Sequence, residues 1–294
     1  MIGKCKLALG SAQWGMNYGI SNNYGKSSLS QIDEILSYAY KQNITLIDTA
    51  CDYGDAEMQL GKANLSKFNI ITKTPFYTQS LLTKTSKEDL ISSFNNSLSL
   101  LNLTKIHCLL VHHAEDLLKE GSEYLIEGLY YLKEKQVISK IGFSMYPGID
   151  LERLIKSFTP DIVQLPINVF DQRLLKDGSI KYLKSLGVEI HARSTFLQGL
   201  LLMKSEEVSS YFQKWQPLLK NWNLLCNDLN CSPLELAINF VCNLDCIDFA
   251  VIGVQNNLQL KQITSSINPY QKINMDYLSS NDPKLIDPTN WKLG

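Results

Sequence analysis

The 294-residue sequence has no apolar run approaching the roughly 20 residues of a membrane span, which excludes a helical membrane protein. It has no excess charge of either sign. Its 28 basic and 29 acidic residues nearly cancel, removing the electrostatic case for a nucleic-acid or anionic-membrane partner. No signal-peptide h-region or small-residue cleavage site follows Met1-Ile2-Gly3-Lys4-Cys5-Lys6. The seven cysteines are irregularly spaced with no Cys-x-x-Cys, so they read as reduced, buried thiols of a cytoplasmic protein. Triplets such as Asn102-Leu103-Thr104 are then chance glycosylation matches. Histidine is scarce: His107, His112, His113 and His191 include no His-x-His, so no metal site is expected and a metal-dependent hydrolase or isomerase fits poorly. Linkers rich in Pro, Gly or Ser, close repeats and low-complexity segments are also missing, which argues for one domain over 1–294.

Short apolar runs alternating with helix-patterned segments are abundant. The strand candidates are Leu7–Gly10, Thr45–Asp48, Asn69–Lys73, Ile106–His112, Lys140–Ser144, Ile162–Pro166, Glu189–Ala192 and Phe249–Ile252. Several are continuously apolar, as expected for parallel strands covered on both faces. Leu29 to Lys41 places Ile32, Ile35, Leu36 and Ala39 at helical spacing behind Ser28 or Ser30 as N-cap. Tyr124 to Lys135 and Leu151 to Phe158 read likewise, and Gly187 closes a helix ending at Leu186. This alternation predicts an α/β fold of the (β/α)8 TIM-barrel type. A doubly wound sheet is the rival, but Gly15-Met16-Asn17-Tyr18-Gly19 is not its Gly-x-Gly-x-x-Gly fingerprint. The stretch from Leu197 to Cys246 has no strand, and its first part reads as an excursion over the barrel mouth. Residues 268–294 read as a C-terminal extension packed on the barrel.

In such a barrel, polar groups at the C-terminal strand ends converge on one mouth. Asp48 ends the second strand and Tyr53 follows in the loop; Lys73 ends the third strand and His112 the fourth. Lys73 beside Tyr53 and paired to Asp48 is expected to lower the phenol's pKa. His112 can orient a carbonyl oxygen or share the proton transfer, while His113 is expected to point away.

The run Asp48-Thr49-Ala50-x-x-Tyr53-Gly54-x-x-Glu57-x-x-x-Gly61, then Thr72-Lys73, then Leu110-Val111-His112, resembles the signature of the aldo-keto reductase superfamily, in order and spacing. That resemblance implies a TIM barrel transferring hydride between a nicotinamide cofactor and a small-molecule carbonyl substrate. Tyr53 would be the general acid, Lys73 and Asp48 would tune it, and His112 would orient the substrate. It also implies cofactor contacts from Ser11 and Ala12 of the opening loop, Ser144 and Gln164, Arg193 and Ser194, and Gly253, Gln255 and Gln259. Trp14 and Tyr18 are the candidates for the substrate wall.

The chain departs from the family's pattern at three positions. Met145 stands where an Asn usually follows Ser144; Arg193 replaces an aromatic that stacks on the nicotinamide; Gln255 stands where many relatives carry Arg or Lys. NADP(H) remains the favoured cofactor, with NAD(H) as the alternative, because Gln255 cannot form a charged fork with a phosphate. The phrases Asn17-Tyr18-Gly19-Ile20 and Arg193-Ser194-x-Phe196-Leu197-Gln198-Gly199 are similar to a bacterial subgroup associated with surface-polysaccharide synthesis. The expected protein is a monomer or weak homodimer reducing an aldehyde or ketone. The alternative on the same fold is a catalytically weak, cofactor-binding regulatory protein.

Overall fold

Eight short strands, alternating with helices, carry the architecture: β1 Lys6–Gly10, β2 Leu46–Asp48, β3 Asn69–Lys73, β4 Ile106–Val111, β5 Ile138–Ser144, β6 Ile162–Pro166, β7 Glu189–Arg193 and β8 Phe249–Gly253. Each pairs in parallel with its sequence neighbours, and β8 returns to β1 over five residue pairs, closing the barrel. The computed structural model describes residues 5–22, 24–268 and 273–293. This is the single-domain (β/α)8 barrel that the alternation predicts.

The strands have two packed faces. Ala8, Leu46, Ile71, Cys108, Leu110 and Ile162 form a cluster inside the barrel, with Phe249 and Val251 against it. The alternate residues, among them Leu9, Ile47, Ile70, Leu109, Phe143, Val163, Ile190 and Ile252, join the larger core beneath the helices. Because side chains alternate with a period of two, two residues beyond each interior position the strand points inward again, now at the mouth. That step runs from Leu46 to Asp48, Ile71 to Lys73, Ile162 to Gln164 and Val251 to Gly253. The expected strand ends shift only slightly. β4 stops at Val111, leaving His112 as the first loop residue, and β7 extends to Arg193.

The helices follow their capping chemistry. In Leu29–Lys41, Ser28 rather than Ser30 is the N-cap, in a reciprocal capping box with Gln31. Asp150 caps Leu151–Ser157. The strandless stretch forms two 3-10 segments, Leu197–Leu202 and Ser210–Trp215, followed by helices Gln216–Asp228 and Pro233–Cys242. Its Leu200, Phe212 and Trp222 build a second core with Leu278, Leu285 and Ile286 of the C-terminal segment. The described part of that segment packs on the excursion. Trp291 meets Phe212 edge to face at 4.9 Å, and Lys214 pairs with Asp282 at 2.9 Å. The part of the extension at 269–272 lies outside the described residues.

Candidate active site

Lys73 is buried at the end of β3, and its ammonium has three oxygen neighbours: Asp48 Oδ2 at 2.7 Å, the Thr49 carbonyl at 2.9 Å and the Tyr53 hydroxyl at 3.4 Å. An ammonium has three protons and no lone pair, so these contacts use it completely and the Tyr53 oxygen can only accept from it. The other carboxylate oxygen of Asp48 accepts from Gln164 Nε2 at 2.7 Å. Burial works against the charge on Lys73, but Asp48 and Tyr53 outweigh it and its pKa is raised. Burial likewise raises the Tyr53 pKa. Lys73 and Arg193 pull it down while Asp48 pushes it up, and burial prevails. The expected lowering of the phenol's pKa is therefore corrected: the cation lessens the rise without reversing it.

His112 packs edge-on to Tyr53, ring centroids 5.8 Å apart. Its Nδ1 is 3.5 Å from Asp52 Oδ2, within ion-pair range but without the alignment of a hydrogen bond, leaving that buried nitrogen without a hydrogen-bond partner. Burial lowers the His112 pKa, only partly opposed by Asp52, so the ring is neutral at pH 7. His113 does not point away as expected. It lies 4.8 Å from His112 and 4.7 Å from Phe76, ring to ring, and both histidines line the same cavity. Once β4 ends at Val111 the strand alternation no longer holds, which frees consecutive residues to face one side.

Two glycines fix the loop that carries Tyr53. A Cβ on Gly15 would fall 1.9 Å from the Tyr53 carbonyl oxygen, and Gly54, at φ +59°, would meet the Gly15 carbonyl at 2.4 Å. Only glycine at both positions allows the loops after β1 and β2 to touch. Glu57, buried in the short helix Ala56–Gly61, accepts a hydrogen bond from Thr72 Oγ1 at 2.5 Å and ties the same loop to β3.

A cavity of about 680 Å³ opens above this unit. Among the sequence-predicted residues, Ala12, Tyr18, Asp48, Tyr53, His112, Ser144, Gln164, Arg193, Ser194, Gly253, Gln255 and Gln259 line it, with Lys73 buried beside Asp48 and Tyr53. Ser11 and Trp14 do not. Trp14 is fully buried with its indole N–H donated to the Val254 carbonyl at 2.8 Å, which corrects its assignment to the substrate wall; Ser11 is also fully buried, so its side chain is not a cavity contact. Sequence reasoning missed Gln13, Asp52, Tyr146 and Thr195 among the lining residues. The motif itself held a signal for Asp52, one residue before Tyr53.

Residues 16–22 and 24–25 lie in a strap over one side of this cavity. Ile20 N–H donates to the Gln198 carbonyl at 3.0 Å, and Gly199 packs so close to Ser21 that a Cβ would fall 2.0 Å from its hydroxyl. On the other side, Gln255 Nε2 donates to Asn22 Oδ1 and to the Gly25 carbonyl. Ser27 Oγ donates to the Gln255 carbonyl at 2.8 Å. The Gln255 amide is thus committed to the strap.

Arg193 makes no ion pair among the described residues. Its guanidinium lies over the Tyr146 ring, 4.1 Å from the centroid, with long contacts of 3.4 Å to the Met145 carbonyl and 3.5 Å to Ser194 Oγ. Met145 is buried in the core, and its backbone carbonyl is the part that faces the site.

Among the described residues no group of three or more His, Cys, Asp or Glu is placed to hold a metal. The barrel and its Asp-Tyr-Lys-His mouth define a class: a (β/α)8 protein with a buried, hydrogen-bonded Asp48-Lys73-Tyr53 unit beneath a large cavity. The Aldo/keto reductase family model matches residues 6–281, and the chain belongs to that family. It is similar in fold to an aldo-keto reductase from Bacillus halodurans in its holo form, at 16% identity, 99% of this chain and 98% of that chain covered, and a TM-score of 0.72. It is also similar to the glycerol dehydrogenase from Gluconobacter oxydans, at 17% identity, 98% and 93% covered, and a TM-score of 0.67. No curated protein matches the sequence.

Proposed function

We propose that the protein reduces an aldehyde or ketone by hydride transfer from NAD(P)H, with Tyr53 as the general acid. The observation that carries this reading is the saturation of Lys73 by Asp48, Thr49 and Tyr53. Lys73 donates to the phenol oxygen, so the phenol's own proton is directed away from it, towards the cavity. The raised pKa keeps that proton on Tyr53 until a carbonyl oxygen develops negative charge. Neutral His112 beside Tyr53 can hydrogen-bond the same oxygen and fix its approach.

The cavity suits an extended dinucleotide. Gly10 and Gly253 keep its floor bare, and a Cβ on Gly253 would collide with the Gln13 amide at 2.2 Å. The Thr195 hydroxyl lines the cavity, buried and without a partner. Ser144 and Gln164 would hold the nicotinamide amide, and Ser194 and Gln259 lie on the loops that would hold the phosphates and adenosine. The bound cofactor supplies the hydride; the protein supplies the proton, the orientation and the exclusion of water.

Because Gln255 is held by Asn22 and Gly25, the family's preference for NADP(H) loses the residue that usually enforces it, and use of NADH alongside NADPH follows. The strap motif and the loop after β7 carry the resemblance to the polysaccharide-associated subgroup, which directs the substrate search to keto-sugars and sugar aldehydes. No helix among the described residues is long and apolar enough to cross a membrane, and the seven free thiols suit a reducing compartment, supporting a cytoplasmic reductase. The test is a screen of aldehydes, keto-sugars and nucleotide-activated sugars with each reduced nucleotide, followed by loss of nicotinamide absorbance. Failure to bind or oxidise either nucleotide would sink the reading.

A further inference from the structure

Arg193 is the sole Lys or Arg among the described residues lining the cavity. The other charged groups in that lining are acidic: Asp48 is held by Lys73 and Gln164, and Asp52 is a half-exposed carboxylate 3.5 Å from His112 Nδ1. Arg193 forms no ion pair among the described residues. Of its five N–H donors, two make contacts at 3.4 and 3.5 Å, near the limit of hydrogen bonding.

Its position is nevertheless fixed. The guanidinium carbon lies 4.1 Å from the Tyr146 ring centroid, a cation–π contact that holds the group in the cavity while most of its N–H donors keep no partner among the described residues. Its height is fixed as well. His191 of β7 pairs with Gln164 of β6, the residue that holds Asp48, and Arg193 stands two residues further up the strand. At strand rise that is about 6–7 Å above the proton-handling layer. A pre-oriented, unpaired guanidinium at that height can grip an anionic group two or three bonds from a carbonyl held by Tyr53.

We propose that Arg193 is a specificity-determining residue that binds a carboxylate or phosphate on the carbonyl substrate through paired hydrogen bonds. The inference rests on the reductase reading, since it places the anion relative to a carbonyl at Tyr53. It differs from a ring-stacking role for Arg193, which would use a face of the guanidinium, whereas an anion is held through its N–H groups. Arg193 also lowers the pKa of both Tyr53 and Tyr18, consistent with a cation facing the substrate end of the cavity. The competing source of an anion is the pyrophosphate of the cofactor itself.

The experiment compares 4-oxobutanoate with butanal, equal in chain length and differing in the terminal carboxylate, in wild type and Arg193→Gln. Calorimetric binding of succinate to the nucleotide-saturated protein and fluorescence titration of NADH and NADPH accompany the kinetics. Wild type is expected to favour 4-oxobutanoate, and Arg193→Gln to shrink the ratio of the two kcat/KM values by roughly tenfold or more, mainly through KM. Arg193→Lys, which keeps the charge but loses the fork, should recover only part of the ratio. Succinate binding should weaken in parallel. Nucleotide affinity should fall by a clearly smaller factor than succinate binding.

Reduction of both aldehydes without an Arg193-dependent ratio would overturn the inference and leave the reductase reading intact. A loss of nucleotide affinity matching the loss of activity would assign Arg193 to the pyrophosphate and also overturn it. Arg193-dependent succinate binding without turnover of either aldehyde would uphold the anion site and refute the reductase reading. Absence of both would overturn the inference.

Discussion

Lys73 donates to Tyr53 across 3.4 Å and accepts nothing in return, so the direction of the phenol's proton follows from the valence of an ammonium. Tyr53→Phe deletes that proton and little else. We expect turnover to fall by about two to four orders of magnitude, with the Kd for reduced nucleotide unchanged in a fluorescence titration. Turnover near the wild-type rate in this variant would refute the assignment.

Lys73→Met should act on folding as well as on catalysis. Asp48 would keep Gln164 but lose its counter-charge in a site where its side chain is only 5% exposed. Removing one partner of a buried pair costs about 3–5 kcal/mol, so the urea midpoint should drop markedly. A double variant, Lys73→Met with Asp48→Asn, should recover much of the stability while staying inactive. Equal midpoints for wild type and Lys73→Met would show that the pair carries no weight.

The pH dependence follows from two shifts of opposite sense. Tyr53 has its pKa raised above the ordinary 10.0, so it loses its proton only when pH rises beyond that value, and reduction should show no alkaline limb below pH 10. His112 has its pKa lowered from 6.5, so the folded protein favours the neutral ring. Its contribution to stability is present above pH 6.5 and lost as pH falls through the lowered folded value. NMR titration of the His112 ring protons, with His112→Gln to assign them, checks the second statement; an apparent pKa at or above 6.5 would contradict it.

Gln255→Ala cuts the strap from the loop after β8. Two donated hydrogen bonds go, and the dissociation rate of reduced nucleotide should rise by roughly thirtyfold if each is worth the usual ~1 kcal/mol. Stopped-flow displacement measures it directly. In wild type the Kd values for NADH and NADPH should agree within about one order of magnitude, since Gln255 offers no charged fork. A preference for NADPH well beyond that would point to a cation outside the described lining.

What the sequence made legible was whatever a strand end and a period of two can determine. Asp48, Lys73 and Gln164 sit at the mouth because Leu46, Ile71 and Ile162 sit inside the barrel two residues earlier. The eight strands were readable for the same reason, as short apolar runs buried on both faces. Loop residues were not. Trp14 and Tyr18 look alike as loop aromatics, yet one is buried against Val254 and the other borders the cavity. His113 escaped because alternation ends where β4 ends. Tyr146, in the phrase Ser144-Met145-Tyr146, gave no sign of its place in the cavity until Arg193, 47 positions later, lay on its ring. Gln255 looked like a nucleotide ligand because its contacts with Asn22 and Gly25 join opposite ends of the chain.

That joining bears on the order of folding. Trp14, Ser27 and Gln255 stitch the first loop to the last across separations of more than two hundred residues. Contacts of such range form late, because loop closure is costly until neighbouring structure is in place. During synthesis the chain makes Tyr53 and Lys73 early, yet the cavity above them lacks a wall until β8 and the turn after it have been added. The protein therefore completes its proposed catalytic residues first and the cavity above them last, and a chain ending before Phe249 would hold Tyr53 and Lys73 without that cavity's last wall.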